Sequence, residues 1–185
     1  KGTAVDDQAE GQYWVINGHH FNDGCCFNYG NVETDSRDDG DGTMESTYYG
    51  NARFWYYGQD EGPWIMTDQE NNLVGCVNPD PNDKFCRDLP SISWRFVTAT
   101  ADGKPGRWRS MGADAQSGEL YTMYDGGRII NKKFAGDKSS YDPMRKQGAI
   151  VLGNGGDNNN YAQGTFYEAA MTAAGSYPSK ETNQK

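Results

Sequence analysis

Short runs of β-branched, aromatic and small residues, each closed by a Gly, Asn or Asp turn, recur along this chain and constrain its fold more than any other feature. They cover Gln12 to Asn17, Met44 to Tyr49, Arg53 to Tyr57, Ser91 to Thr98, Leu120 to Tyr124, Ala149 to Leu152 and Gly164 to Met171. Strand-forming stretches at this spacing, with turn chemistry between them, build an all-β sandwich or jelly roll. The stretch around Glu168 to Ala174 has some helical character, but a strand followed by a turn is the preferred reading. A content of 24 Gly and 12 Tyr supports strands over helices. At 185 residues the length suits one domain, residues 1–185.

Charge removes whole classes of function. A net charge of −9 repels a phosphate backbone, so no nucleic-acid partner is expected. No run approaches the roughly eighteen apolar residues of a membrane span, so no membrane partner is expected either. The cysteines Cys25, Cys26, Cys76 and Cys86 form an even set without paired Cys-x-x-Cys spacing, which favours disulfides over zinc. His19 and His20 are strand neighbours pointing to opposite faces, a poor start for a metal site, and no metal or cofactor is expected. Asp35 to Gly42 lacks the distal glutamate of an EF-hand loop and reads as a solvated acidic turn. The polar tail after Tyr177 is expected to fray.

Chemistry then falls to carboxylates, because a Ser or Cys nucleophile needs a His partner and these histidines sit in no recognised elbow. Any one of 26 acidic residues reads first as surface charge. Two stand out by their neighbours. Glu70 lies in Trp64-Ile65-Met66-Thr67-Asp68-Gln69-Glu70-Asn71-Asn72, an apolar strand ending in alternating carboxylates and amides. Asp157 lies in Gly153-Asn154-Gly155-Gly156-Asp157-Asn158, where glycines let the backbone approach a ligand. Both arrangements suit a sugar site.

Specific blocks carry a family resemblance over most of the chain. They are Gly24-Cys25-Cys26-Phe27-Asn28-Tyr29-Gly30-Asn31, Met44-Glu45 with Tyr48-Tyr49-Gly50, and Gly62-Pro63-Trp64-Ile65-Met66 followed by Asp68, Glu70 and Asn71. Later come Pro90-Ser91-Ile92-Ser93, Arg95-Phe96-Val97-Thr98-Ala99, Gly148-Ala149-Ile150-Val151-Leu152-Gly153, Gly155-Gly156-Asp157-Asn158 and Ala162-Gln163-Gly164-Thr165-Phe166-Tyr167-Glu168. In order and spacing these resemble the C-terminal half of the catalytic β-sandwich of the α-L-arabinofuranosidases of glycoside hydrolase family 54.

That resemblance implies roles. Glu70 matches the nucleophile and Asp157 the general acid/base. Asp68, Asn71 and Gly156 match residues that hydrogen-bond arabinofuranose, and Trp55 an aromatic that packs on it. Cys25 and Cys26 match a vicinal disulfide lining the sugar subsite, against the ordinary expectation that adjacent cysteines do not pair. Cys76 and Cys86 are left to bridge each other, a feature of this chain rather than of the family. The implied activity is that of a secreted, extracellular, retaining enzyme releasing arabinofuranose from arabinose-containing polysaccharides or oligosaccharides, its two carboxyls about 5–5.5 Å apart.

The resemblance also implies a jelly-roll or concanavalin-like sandwich lacking strands that the first half of the family's domain supplies, together with the arabinose-binding β-trefoil. A second chain segment or self-association is therefore expected to cover a sheet edge near Gln12 to Asn17, burying Tyr13 or Trp14. Gln69, Asn72, Asn154 and Asn159 depart from the family pattern and are expected to reshape the subsite. The competing reading is a catalytically silent lectin-like or structural module, in which Glu70 or Asp157 is locked in a salt bridge or the pocket is filled by a neighbouring chain.

Overall fold

The computed structural model describes residues 2–53, 58–70, 73–74, 89–128 and 142–185. Trp55, Asn71, Asn72, Cys76 and Cys86, with most of the Arg53 to Tyr57 run, lie outside the described residues. Strand β1, Glu10–Phe21, shows how the pattern becomes a sandwich. Successive side chains on a strand point to opposite faces. Trp14 and Ile16 are sealed inside while Tyr13 remains partly exposed on the other side.

The other strands are β2 (Asn28–Val32), β3 (Glu45–Gly50), β4 (Trp64–Asp68), β5 (Leu73–Val74), β6 (Phe96–Lys104), β7 (Arg107–Asp114), β8 (Tyr121–Gly126), β9 (Ala149–Leu152) and β10 (Gly164–Met171). They form two five-stranded sheets, β10-β1-β6-β7-β8 and β5-β4-β3-β2-β9. Every pairing among the described strands is antiparallel. The β6–β7 hairpin closes on Lys104-Pro105-Gly106-Arg107, with Lys104 paired to Arg107. Gly106 has a φ of 71°, and proline followed by a left-handed glycine is the chemistry of a type II turn.

The sheets are joined by apolar side chains from both. Trp14, Ile16, Val97 and Ala99 of the first share one buried cluster with Tyr29, Tyr49 and Ile65 of the second. Trp14 packs on Phe27 and Tyr29 with ring centroids 5.1 and 6.2 Å apart. Each such fully buried side chain contributes about 1.5–3 kcal/mol. The two sheets thus pack face to face as a β-sandwich around this shared core.

Two expectations need correction. β1 is no edge: it lies between β10 and β6, because Gln12 to Ile16 pairs on both sides. Trp14 is covered by this chain's own core. The tail does not fray. Helix α1, Lys180–Gln184, is capped by Ser179, whose hydroxyl accepts from the Thr182 N–H. Asn183 donates to Asp102 at 2.7 Å, Gln184 accepts from the Leu120 N–H at 2.7 Å, and Arg109 donates to the Pro178 carbonyl at 2.6 Å.

Polar groups are also buried between the sheets. Lys146 donates to the Gln8 carbonyl at 2.7 Å and ion-pairs with Glu45 at 3.0 Å and Glu10 at 3.4 Å, all three side chains being almost wholly buried. Asn31 donates to Glu10 from β2, so the cluster ties the two sheets together.

Candidate active site

Ile65 faces the opposite sheet, since a methyl added at Gly112 of β7 would strike it. By alternation Asp68, three residues on, projects from the other face of its sheet. There Asn28, at the start of β2, donates to Asp68 Oδ2 at 3.1 Å. Two residues beyond Asp68 the chain turns, and Asp68 Oδ1 accepts the Glu70 N–H at 3.2 Å. Glu70 adopts a left-handed backbone with φ 55°, an unusual conformation for a side chain of this kind. Sequence placed both carboxyls at the end of one strand; the reversal that brings Glu70 back over the sheet is supplied by the Asp68 side chain.

The second half of the site comes from the loop after β9. Gly153 donates to the Asn28 carbonyl at 2.7 Å, which starts the loop beside β2. Gly155 and Asn159 close it with an N–H···O bond of 2.8 Å, and Asp157 Oδ1 accepts the Asn159 N–H at 3.1 Å. Asp157 itself is exposed, while Gly156 beneath it is buried against Val32, Glu33 and Met44. A Cβ there would meet Glu33 Oε2, Met44 Sδ and Val32 Cβ, so a larger residue forces the Glu33 carboxyl to move. Asp157 is also close enough to Asp68 for its charge to raise the Asp68 pKa.

Cys25 and Cys26 form a disulfide, both nearly buried. They are stitched to the same loop: Cys26 N–H donates to the Asn159 carbonyl at 3.3 Å, and the Tyr161 N–H to the Cys25 carbonyl at 3.0 Å. The structure therefore gathers Cys25, Cys26, Asp68, Glu70, Gly156 and Asp157 around one region of the second sheet. Trp55 and Asn71 fall outside the described residues.

Sequence reasoning missed Glu33. It follows β2 directly, is 2% exposed, and accepts from the Thr43 hydroxyl at 2.6 Å. Its signal was an acidic residue closing a strand, as Asp68 closes β4. Gln69 was misjudged: it turns away from the site and donates to Glu45 at 3.3 Å in the buried ionic cluster, so this departure from the family pattern alters the core and not the subsite.

Electrostatically the region is acidic. Burial, then the charges of Asp68, Glu33 and Asp38, push the Glu70 carboxyl up to about 11. Burial chiefly, with Glu33 and Asp157 adding to it against the Asn28 and Glu70 N–H hydrogen bonds, moves Asp68 up to about 7. Among the described residues no Lys or Arg forms an ion pair with Glu33, Asp68, Glu70 or Asp157. Burial and mutual repulsion thus favour the neutral forms of Glu70 and Asp68, and a positive charge developing on a sugar carbon placed here would favour their ionised forms.

Comparison with known proteins gives consistent matches. The family described as "Alpha-L-arabinofuranosidase B, catalytic" matches residues 1–185. The α-L-arabinofuranosidase B of Aspergillus kawachii is 52% identical over 181 residues, 98% of this chain and 34% of that protein. An α-L-arabinofuranosidase of Hypocrea jecorina is 50% identical over 98% of this chain and 34% of its own length. A glutamate-to-glutamine mutant of a family 54 α-L-arabinofuranosidase, soaked with 4-nitrophenyl α-L-arabinofuranoside, superposes with a TM-score of 0.88 at 50% identity over 100% of this chain and 36% of that one. An arabinofuranosidase complexed with arabinofuranosyl-α-1,2-xylobiose matches equally well, with a TM-score of 0.88. The chain spans about a third of the length of the curated relatives it matches.

Proposed function

We propose, on the premise that this chain belongs to the α-L-arabinofuranosidase B catalytic family, that it carries the reacting carboxyls of a secreted, retaining α-L-arabinofuranosidase acting on arabinose-containing polysaccharides or oligosaccharides. The observation that carries the reading is the meeting of two separate strand ends. Asp68 and Glu70 close β4, and Gly156 and Asp157 fold back from β9 over the same sheet.

In the proposed mechanism Glu70 attacks the anomeric carbon while Asp157 protonates the departing glycosidic oxygen. Asp157 then activates a water that cleaves the glycosyl-enzyme, and configuration is retained. Asp157 is exposed, where a leaving group can depart and water can enter; Glu70 is more sheltered. Asp68 and the backbone at Gly156 offer hydrogen bonds to sugar hydroxyls, and Cys25–Cys26 forms a rigid apolar wall. Trp55 and Asn71 complete the proposed subsite.

The remaining length of the relatives suggests that a further segment packs on this sandwich and helps wall the pocket. The disulfide supports an oxidising, extracellular setting. The silent-module alternative called for Glu70 or Asp157 in a salt bridge, and among the described residues neither has one.

The test is hydrolysis of 4-nitrophenyl α-L-arabinofuranoside by the full-length protein and by its Glu70→Gln variant. Turnover should vanish in the variant with the fold intact, since an amide cannot form the glycosyl ester. Unchanged turnover assigns the nucleophile elsewhere. Product configuration followed by NMR checks retention, and an inverted product removes the covalent intermediate.

A further inference from the structure

Glu33 lies beneath the loop that carries Asp157, and the double displacement leaves it without a task. Its carboxyl touches both halves of the site. Oε1 accepts from the Thr43 hydroxyl at 2.6 Å. Thr43 belongs to the turn before β3, where the Gly42 N–H donates to the Gln69 carbonyl at 2.9 Å, one residue before Glu70. The Arg145 N–H fixes that turn by donating to the Gly42 carbonyl at 2.8 Å. Oε2 faces the other way, against Gly156, where a β-carbon would collide with it. Among the described residues Oε2 is buried and accepts no hydrogen bond, a rare state for a polar atom and one that calls for a reason.

The loop above it needs a support. It is held at its two ends, by the Gly153 N–H on the Asn28 carbonyl at 2.7 Å and by the Cys26 N–H on the Asn159 carbonyl at 3.3 Å. Between these anchors, among the described residues, the hydrogen bonds of residues 154–158 stay inside the loop. Packing therefore sets how far Gly156 and Asp157 stand above the sheet. The atoms beneath Gly156 belong to Glu33, Met44 and Val32, and Glu33 Oε2 is the nearest of them.

We propose that Glu33 is a positioning residue that spaces the Asp157 loop from the strand end bearing Glu70. The inference rests on the arabinofuranosidase reading of the site and deepens it. A retaining pair of carboxyls works at a separation of about 5–5.5 Å, and a displacement of about 1 Å costs about 100-fold in rate. A carboxyl suits the task because one oxygen accepts from Thr43 while the other fills the space under Gly156. Its amide isostere would serve as well, so the role is one of shape rather than charge. A truncated side chain lets the loop settle toward β2 and carries Asp157 away from the glycosidic oxygen.

The damage should be specific to the proton that Asp157 gives. As Glu70 bonds to the anomeric carbon and the glycosidic bond breaks, a sugar leaving group must take that proton, whereas nitrophenolate departs as the anion. Loss of the spacer therefore harms a glycoside with a sugar leaving group far more than a nitrophenyl glycoside. A general loosening of the fold harms both alike.

The experiment compares kcat/KM on arabinofuranosyl-α-1,2-xylobiose and on 4-nitrophenyl α-L-arabinofuranoside for the full-length wild type, Glu33→Ala, Glu33→Gln and Thr43→Val. In Glu33→Ala the xylobioside should fall about 100-fold and the nitrophenyl glycoside only a few-fold, while Glu33→Gln keeps both near wild type. An equal fall on the two substrates in Glu33→Ala overturns the proposal, and so does a Glu33→Gln variant as impaired as Glu33→Ala. If Glu33→Ala does not fold, Thr43→Val, which releases Oε1, decides by the same comparison: a larger fall on the xylobioside supports the spacer, and an equal fall or none overturns it. A wild type that hydrolyses neither substrate refutes the functional reading instead.

Discussion

Replacing Lys146 by methionine tests the buried ionic cluster that ties the sheets together. Lys146 is the cation of that cluster, with Glu45 at 3.0 Å and Glu10 at 3.4 Å, and all three are essentially without solvent contact. Methionine keeps the aliphatic volume but strands two carboxyls, and removing one partner of a buried pair costs about 3–5 kcal/mol. In a domain of this size that corresponds to a fall in melting temperature of roughly 6–20 °C.

The loss should depend on pH. Burial, against the opposing pull of Lys146, holds Glu10 at about 7, above its ordinary 4.5. Folded protein therefore binds more protons than unfolded between those values, and stability falls as pH rises through that window. Removing the lysine charge widens the window upward. Thermal and urea unfolding at pH 5 and pH 8 should then show the larger loss at pH 8. An equal loss at both, or a loss below about 1 kcal/mol, would refute the claim that these carboxyls are held in place by Lys146.

Three further outcomes follow from the site and the tail. Gly156→Ala pushes Glu33 Oε2 and the Asp157 backbone apart, so kcat/KM on the nitrophenyl glycoside should drop about 100-fold with little change in melting temperature. Replacing Cys25 and Cys26 together by serine should raise KM while thermal unfolding barely moves, because a link between neighbours closes no loop; a large melting shift with KM intact contradicts the subsite role. Asn183→Ala removes a donor to buried Asp102 and should cost about 1–2 kcal/mol in denaturant unfolding, whereas a frayed tail would register nothing.

Much of the sandwich was legible because strands advertise themselves by alternation, and β1, β8, β9 and β10 lie where such runs occur. β7 escaped because Arg107-Trp108-Arg109-Ser110-Met111-Gly112-Ala113-Asp114 has no β-branched residue; it is a strand because β6 and β8 pair with it on both sides. The Pro105-Gly106 turn was the clue available. The position of β1 was not legible, since a strand's pattern does not say how many neighbours it has. Site residues separated in the same way. Asp68 and Glu70 sit on one short strand end, and the resemblance singled them out from an acidic sequence. Glu33 enters only because the loop after β9 folds back across the end of β2, a long-range contact with no local signature. Gln69 turns inward for an equally non-local reason, the buried carboxylate of Glu45.

The left-handed turn at Glu70 sets folding against chemistry. A glycine or asparagine would occupy φ 55° with less strain, and either would remove one carboxyl from a crowded, sheltered group. By thermal criteria alone, the protein improves by discarding its proposed nucleophile. Selection schemes that reward heat resistance or expression without demanding turnover would drift toward inert variants at this position. Engineering for durability should therefore hold residue 70 fixed and seek its gains in the sandwich core.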